Sequence, residues 1–279
     1  YNGSVKTPSV TVKNAFGATL TKDTDYTVTY ASGRKNSGTY NVKVTMKGNY
    51  TGTKTLSFKI TPVQASLCSA SLSSTSYTYN GGVKTPTVTV KSPGGSTLTN
   101  GTSYTVTYAS GRKNAGTYTV KVTMKGNYIG TKTLSFKINP IQASNYPMKL
   151  SSTSYTYNGK LKTPTVTVTT PSGSKLTNGT SYTVSYASGR VNVGTYTVKV
   201  TMKGNYTGTK TQTFKINPIK ASNCAMKLSA TSYTYDGKVK APSVKIVSPT
   251  GSTLTKGTSY TVSYESGRVN VGTYTVKVT

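Results

Sequence analysis

Apolar and polar residues alternate with a period of two along much of this chain. From Tyr118 onward, Tyr118, Val120, Val122 and Met124 share one parity, while Thr119, Lys121, Thr123 and Lys125 share the other. Side chains of a strand point to opposite faces in turn, so this pattern predicts a half-buried β-strand. The stretch Asn114–Lys125 recurs almost unchanged at Asn36–Lys47, at Asn192–Lys203 and from Asn270 to Thr279.

The same alternation predicts further strands around it. They lie near Leu72–Tyr79, at Thr87–Lys91, at Ser96–Thr99 centred on Leu98, from Tyr104 to Tyr108, and from Lys132 to Ile138 with Leu134, Phe136 and Ile138 inward. Turn chemistry separates them: Asn80-Gly81, Ser92-Pro93-Gly94-Gly95, Asn100-Gly101 and Gly126-Asn127-Tyr128. About seven short strands, turn signals roughly every 8–12 residues and no helical periodicity predict a β-sandwich. Its core would be made of tyrosine rings and valines with few larger groups, and each buried hydroxyl would need a partner.

Pro8, Pro86, Pro164 and Pro242 stand 78 residues apart, as do Tyr1, Tyr79, Tyr157 and Tyr235. A repeat this long holds its own small core, unlike the shorter units of a solenoid. The fold class expected is therefore all-β: tandem immunoglobulin-like β-sandwich domains arranged as an elongated string with a 78-residue period. The expected domains are residues 1–62, a repeat lacking its first strand; 63–140 and 141–218, complete repeats; and 219–279, a repeat lacking its last strand. Pro62 and Pro140 stiffen the boundaries. Modules about 30–40 Å long are expected, and, because the first repeat lacks its opening strand and the last its closing one, further copies of the repeat are expected beyond both ends.

Charge changes the picture next. The chain carries 34 Lys and Arg against 4 Asp and Glu, a formal +30, with no His. Each period has eight or nine basic residues, so the charge belongs to the repeats and not to a tail. Residues 63–218 contain no carboxylate and the chain contains no histidine. General acid–base chemistry, a Ser-His-Asp constellation, a zinc cluster and a carboxylate calcium cage all lack their parts. The expectation is a non-enzymatic protein without cofactors, and no run of about 20 apolar residues predicts membrane insertion.

Lys121 and Lys125 on one strand and Lys137 on the next are expected on one outward face. Lys43, Lys47 and Lys59, and Lys199, Lys203 and Lys215, repeat the set. Arg112-Lys113 lies in the loop before the repeated stretch. These are the candidate polyanion-binding residues, because lysines with few acidic neighbours attract anions without reading sequence. Cys68 and Cys224 stand two periods apart, too far to bridge within a string of domains. Near domain boundaries both are expected to be exposed, as candidate intermolecular thiols.

The opening N-x-G-x-Y-x-V of the repeated stretch resembles the D-x-G-x-Y-x-C of strand F in immunoglobulin domains, with Val120 in the place of the cysteine. The resemblance implies a corner role for Tyr40, Tyr118, Tyr196 and Tyr274. The series T-S-Y-T-Y-N-G, K-T-P-x-V-T-V, Y-T-V-x-Y, N-x-G-T-Y-T-V and G-N-Y-x-G-T-K-T resembles the tandem Ig-like, MBG-type repeats of large Gram-positive, clostridial-type cell-surface proteins. That resemblance implies a secreted stalk, fibre or filament body, with self-assembly into fibres as a partner reading. The alternative is a cationic adhesin module for teichoic acid, acidic glycans or extracellular DNA.

Overall fold

A computed structural model describes residues 1–279. The chain divides into two compact units, Tyr1–Ile141 and Gln142–Thr279. In the first, strands β1 (Tyr26–Tyr30), β2 (Gly38–Met46) and β3 (Thr53–Ile60) form a three-stranded antiparallel sheet. Then follow β4 (Val63–Gln64), a single 3-10 turn at Ala65–Leu67, β5 (Ser69–Leu72), β6 (Ser76–Thr78), β7 (Val88–Lys91), β8 (Tyr104–Tyr108), β9 (Gly116–Met124), β10 (Tyr128–Ile129) and β11 (Thr131–Asn139). The second unit follows β12 (Ile141–Gln142) with β13 (Met148–Leu150), β14 (Ser154–Thr156), β15 (Val166–Val168), β16 (Tyr182–Tyr186), β17 (Gly194–Met202), β18 (Tyr206–Thr207) and β19 (Thr209–Asn217). It ends with β20 (Ala225–Leu228), β21 (Val244–Val247), β22 (Val262–Tyr264) and β23 (Val276–Val278).

The second period is a sandwich of two unequal layers. One is a four-stranded sheet in the order β6-β11-β9-β8; the other is the pair β5-β7. Neighbours are antiparallel except β6, which runs parallel to β11. The third period repeats this with β14-β19-β17-β16 and the pair β13-β15. The strand expected over Leu72–Tyr79 is in fact β5 and β6, broken at Ser73–Thr75, so that its two halves serve opposite layers. Ser96–Thr99 forms no strand: Thr97 makes one bridge to Lys91, while Leu98 still points into the core.

The core of the second period gathers Val88, Val90, Tyr104, Val120, Val122, Met124, Phe136 and Ile138. Alternation fills both sides of it, so β9 reads buried at Val120, Val122 and Met124 and exposed at Thr119, Lys121 and Thr123. The two tyrosines of each Y-x-V-x-Y strand lie inward, and their hydroxyls cross to the opposite layer. Tyr104 donates to Val88 O at 3.2 Å and Tyr108 to Pro86 O at 2.7 Å. Tyr26 with Val10 O, Tyr30 with Pro8 O, Tyr182 with Val166 O, Tyr186 with Pro164 O, Tyr260 with Val244 O and Tyr264 with Pro242 O repeat both bonds. The rings supply apolar area, and the hydroxyls close carbonyls that would otherwise lose water without gaining a donor.

Candidate functional site

The repeated stretch builds a corner first. Tyr118 donates to Gly111 O at 2.8 Å and approaches Asn114 O at 2.9 Å, so its hydroxyl holds both ends of the loop that precedes β9. Tyr40, Tyr196 and Tyr274 make the same pair of contacts, to Gly33 and Asn36, to Gly189 and Asn192, and to Gly267 and Asn270. The loop must pass beneath the ring: a Cβ on Gly194 would stand 3.3 Å from the Tyr196 hydroxyl, at a φ of 157° that side chains rarely adopt. Glycine is therefore required at this point.

Arg112 departs from the sequence expectation of an anion-contacting loop. Its guanidinium lies 5.0 Å from the centroid of the Tyr108 ring and donates to Ala109 O at 3.0 Å. The side chain is half-buried. Arg34 on Tyr30, Arg190 on Tyr186 and Arg268 on Tyr264 repeat the arrangement. A guanidinium stacks on an aromatic face and is weakly hydrated, so arginine suits a closing role here. These arginines thus face inward, as do the half-buried Lys84, Lys162 and Lys240 over Tyr77, Tyr155 and Tyr233, and alternation along the chain does not separate them from the outward lysines.

The lysines divide as well. Lys121 lies opposite Thr133 and Thr107, and Lys137 opposite Thr117. Both are exposed on the outward face of the four-stranded sheet. Lys199 opposite Thr211 and Ser185, Lys215 opposite Thr195, Lys43 opposite Thr55 and Thr29, and Lys59 opposite Thr39 reproduce that face. No lysine stands directly across from another here, and threonine spaces the charges. Lys125, Lys47 and Lys203 lie one residue beyond their strands, because β9, β2 and β17 end at Met124, Met46 and Met202. They are exposed in the turn and do not continue the sheet face. Lys47 Nζ already donates to Asp23 O at 3.0 Å. Lys113 is exposed in the loop beside its half-buried neighbour Arg112.

Carboxylates offer little competition for these charges. Asp25 accepts the Thr21 amide at 2.7 Å and Glu265 the Thr275 amide at 2.8 Å. Asp236 pairs with Lys240, whose ammonium holds that carboxyl below the usual carboxylate range. No group of three or more His, Cys, Asp or Glu is placed to hold a metal ion. No helix is long and apolar enough to cross a membrane.

The thiols are unlike one another. Cys224 is half-buried, but Cys68 is 2 % exposed, against the exposure expected from its place near a boundary. The 3-10 turn at Ala65–Leu67 rolls it into the core, where burial pushes the thiol above its ordinary range. Lys132, which no sequence pattern singled out, reaches back across the turn to the carbonyls of Cys68 and Ala65.

One contact within the first unit joins two periods. The turn Gly126-Asn127-Tyr128 of the second period meets the loop Asn36-Ser37 of the first. Ser37 N donates to Asn127 Oδ1 at 2.7 Å, Asn127 Nδ2 to Asn36 Oδ1 at 3.1 Å, and Ser37 Oγ to Gly126 O at 3.3 Å. Within the second period Val63 N donates to Asn127 O at 3.0 Å and β10 pairs in parallel with β4, and the Tyr1 ring of the first period meets Tyr128 edge-on at 5.7 Å. In the sequence these residues read only as a turn, a loop and a linker. Their signal was the recurrence of G-N-Y at the same period as N-x-G, which by itself does not say that the two meet.

A family model described as "MBG domain" matches residues 68–142 and 147–220, more than half of the chain. No curated protein matches. Among solved structures, the chain is similar to invasin, a bacterial integrin-binding protein, at 13% identity and a TM-score of 0.32, covering 82% of this chain and 60% of that one. It is similar to PcdhgB3 EC1-4 at 10% identity and a TM-score of 0.20, covering 76% of this chain and 64% of that one. For the protocadherin gammaB4 extracellular domain the figures are 10% identity, 0.23, 72% and 41%. The chain thus spans less than two thirds of each of these structures.

Proposed function

Because this chain belongs to the MBG domain family, we propose that it is a non-enzymatic structural repeat region of an extracellular, cell-surface protein: the stalk, fibre or filament body on which other parts are carried. The observation that carries this reading is the Asn127 joint. Three hydrogen bonds between the Asn36-Ser37 loop and the Gly126-Asn127 turn, with the Tyr1–Tyr128 ring contact, hold one period against the next. A connection of that kind resists bending and has no role in chemistry. Tyrosine hydroxyls and arginines support the same reading, since each bonds to or packs on its own repeat.

Small-angle scattering tests the proposal. A stiff array gives a radius of gyration far above the roughly 19 Å expected of a compact 279-residue globule. A value near 19 Å would overturn it.

A second reading is favoured by the lysine face. Lys121 and Lys137, with Lys43 and Lys59 and with Lys199 and Lys215, stand exposed among threonines with no carboxylate paired to them in the sheet. Such a face is suited to teichoic acid, acidic glycan or DNA, held by charge and with little selectivity. It is compatible with a structural role, and its salt dependence distinguishes it.

A further inference from the structure

The loop that follows Tyr79 holds an asparagine in an unusual setting. The Asn80 side-chain oxygen accepts two donors, Gly82 N at 3.0 Å and Lys84 Nζ at 2.7 Å. In the third period Asn158 Oδ1 accepts Lys160 N at 3.1 Å and Lys162 Nζ at 2.6 Å. Both ammonium groups are steadied by a ring, 5.7 Å from the Tyr77 centroid and 5.6 Å from that of Tyr155. One period further on, the same place holds an acid. Asp236 Oδ1 accepts Lys238 N at 2.9 Å, and its carboxylate pairs with Lys240. The donors are alike in all three loops; only the amide has become a carboxylate.

A glycine follows each asparagine. Gly81 and Gly159 are exposed, and their N–H groups donate no hydrogen bond within the chain. With no Cβ on the glycine, that nitrogen is open to approach the side-chain carbonyl of the asparagine before it. Negative charge developing on Oδ1 during such an attack falls where two donors, one of them an ammonium, already point. Asn100-Gly101 and Asn178-Gly179 are the contrast. They are exposed too, but Gly101 N donates to Tyr104 O at 2.7 Å and Gly179 N to Tyr182 O at 2.8 Å. Those nitrogens are engaged in their turns.

We propose that Asn80 and Asn158 are self-modification sites, at which the folded chain deamidates to the carboxylate that the fourth period encodes as Asp236. Gly81 N forms a bond to Asn80 Cγ and gives up its proton. The Cγ–Nδ2 bond breaks, and Nδ2 leaves as ammonia with that proton. Water then opens the cyclic imide at either carbonyl, leaving aspartate or isoaspartate. The sum is one water consumed and one ammonia released, with no oxidant or reductant. Asn158 and Gly159 follow the same course. In the aspartate product the carboxylate faces Lys84 or Lys162 as Asp236 faces Lys240, so a contact between charge and dipole becomes an ion pair.

The test is incubation of the full 279-residue chain at mildly alkaline pH, followed by peptide mapping in a mass spectrometer. Asn80 and Asn158 should take on the mass of the amide-to-acid exchange at least about fivefold faster than Asn100 and Asn178, the scale of a hydrogen bond that must first open at Gly101 or Gly179. In denaturant the four rates should converge. Lys84→Met, which keeps the apolar stem and removes the ammonium, should slow Asn80 several-fold and leave Asn158 unchanged; Lys162→Met should do the reverse. Asn100 and Asn178, still slow, report that each variant remains folded. The proposal is overturned by equal native rates at the four sites, by a native ranking that persists in denaturant, by Asn80 and Asn158 staying intact while the denatured chain deamidates, or by an Asn80 rate indifferent to Lys84.

Discussion

Ser37 donates its backbone N–H to the Asn127 side chain at 2.7 Å, although 90 residues separate them. Asn127 reciprocates by donating to Asn36 Oδ1. An amide is suited to this place because it accepts and donates at once; a carboxylate would only accept. Asn127→Ala and Asn127→Asp are therefore both expected to weaken the joint. The loss should be about 1 kcal/mol in chemical denaturation, the scale of a hydrogen bond removed at a partly solvated site. A double-mutant cycle with Asn36→Ala should show coupling of roughly 0.5 kcal/mol or more. Strict additivity would mean that the two periods do not support each other.

Tyr118→Phe removes one hydroxyl and its bonds to two carbonyls while leaving the ring over Gly116. Expected destabilisation is about 1 kcal/mol, from the usual worth of a hydrogen bond. Hydrogen exchange should localise the change to the loop before β9. A shift spread evenly over the second period would speak against a local clamp.

Phe136→Ala should cost about 3–5 kcal/mol of the second period's stability, because the ring is 2 % exposed and packed between two tyrosines. Phe214→Ala, the same change one period later, should cost as much, since Phe214 is 1 % exposed and sits between Tyr155 and Tyr196. Thermal unfolding measures both; a loss below about 1 kcal/mol in either would show that ring burial does not govern this position.

Thiol labelling should distinguish the two cysteines. Cys224 is expected to react under native conditions, while Cys68 reacts only after unfolding. The pH dependence has a definite sign. Burial raises the Cys68 thiol in the folded state, so its contribution to stability is complete below the ordinary thiol range and is lost as pH climbs above it. Cys68→Ala should remove that alkaline decline. A native Cys68 that labels as fast as Cys224 would contradict the packing.

Binding to duplex DNA, used as a plain polyanion, should fall steeply as salt rises. Replacing Lys121 and Lys137 by Gln should reduce the salt slope by up to about two, because each phosphate no longer neutralised takes roughly 0.9 from it. Arg112→Gln should leave the slope unchanged, because its guanidinium lies on Tyr108 and faces no ligand. It should lower stability instead. A slope that responds to Arg112 and ignores the lysines would reverse these roles.

The sequence alone determined the period, the all-β class and the parity of each long strand. Those features are local: alternation at Tyr118–Met124 places Val120 and Val122 inward whatever the neighbouring strand does, and Asn-Gly turns end strands through their own backbone preference. It also shows that the chain has no histidine and that residues 63–218 have no carboxylate, since an inventory needs no geometry. Tertiary structure decided everything that depends on which distant segments meet. Arg112 and Lys113 are adjacent in sequence and equal in charge, yet one is closed over Tyr108 and the other faces water. Cys68 was buried by a three-residue turn too short to carry a periodic signal. Asn127 became a joint because Ser37 lies against it, and hydrogen bonding between side chain and backbone carries no periodic trace.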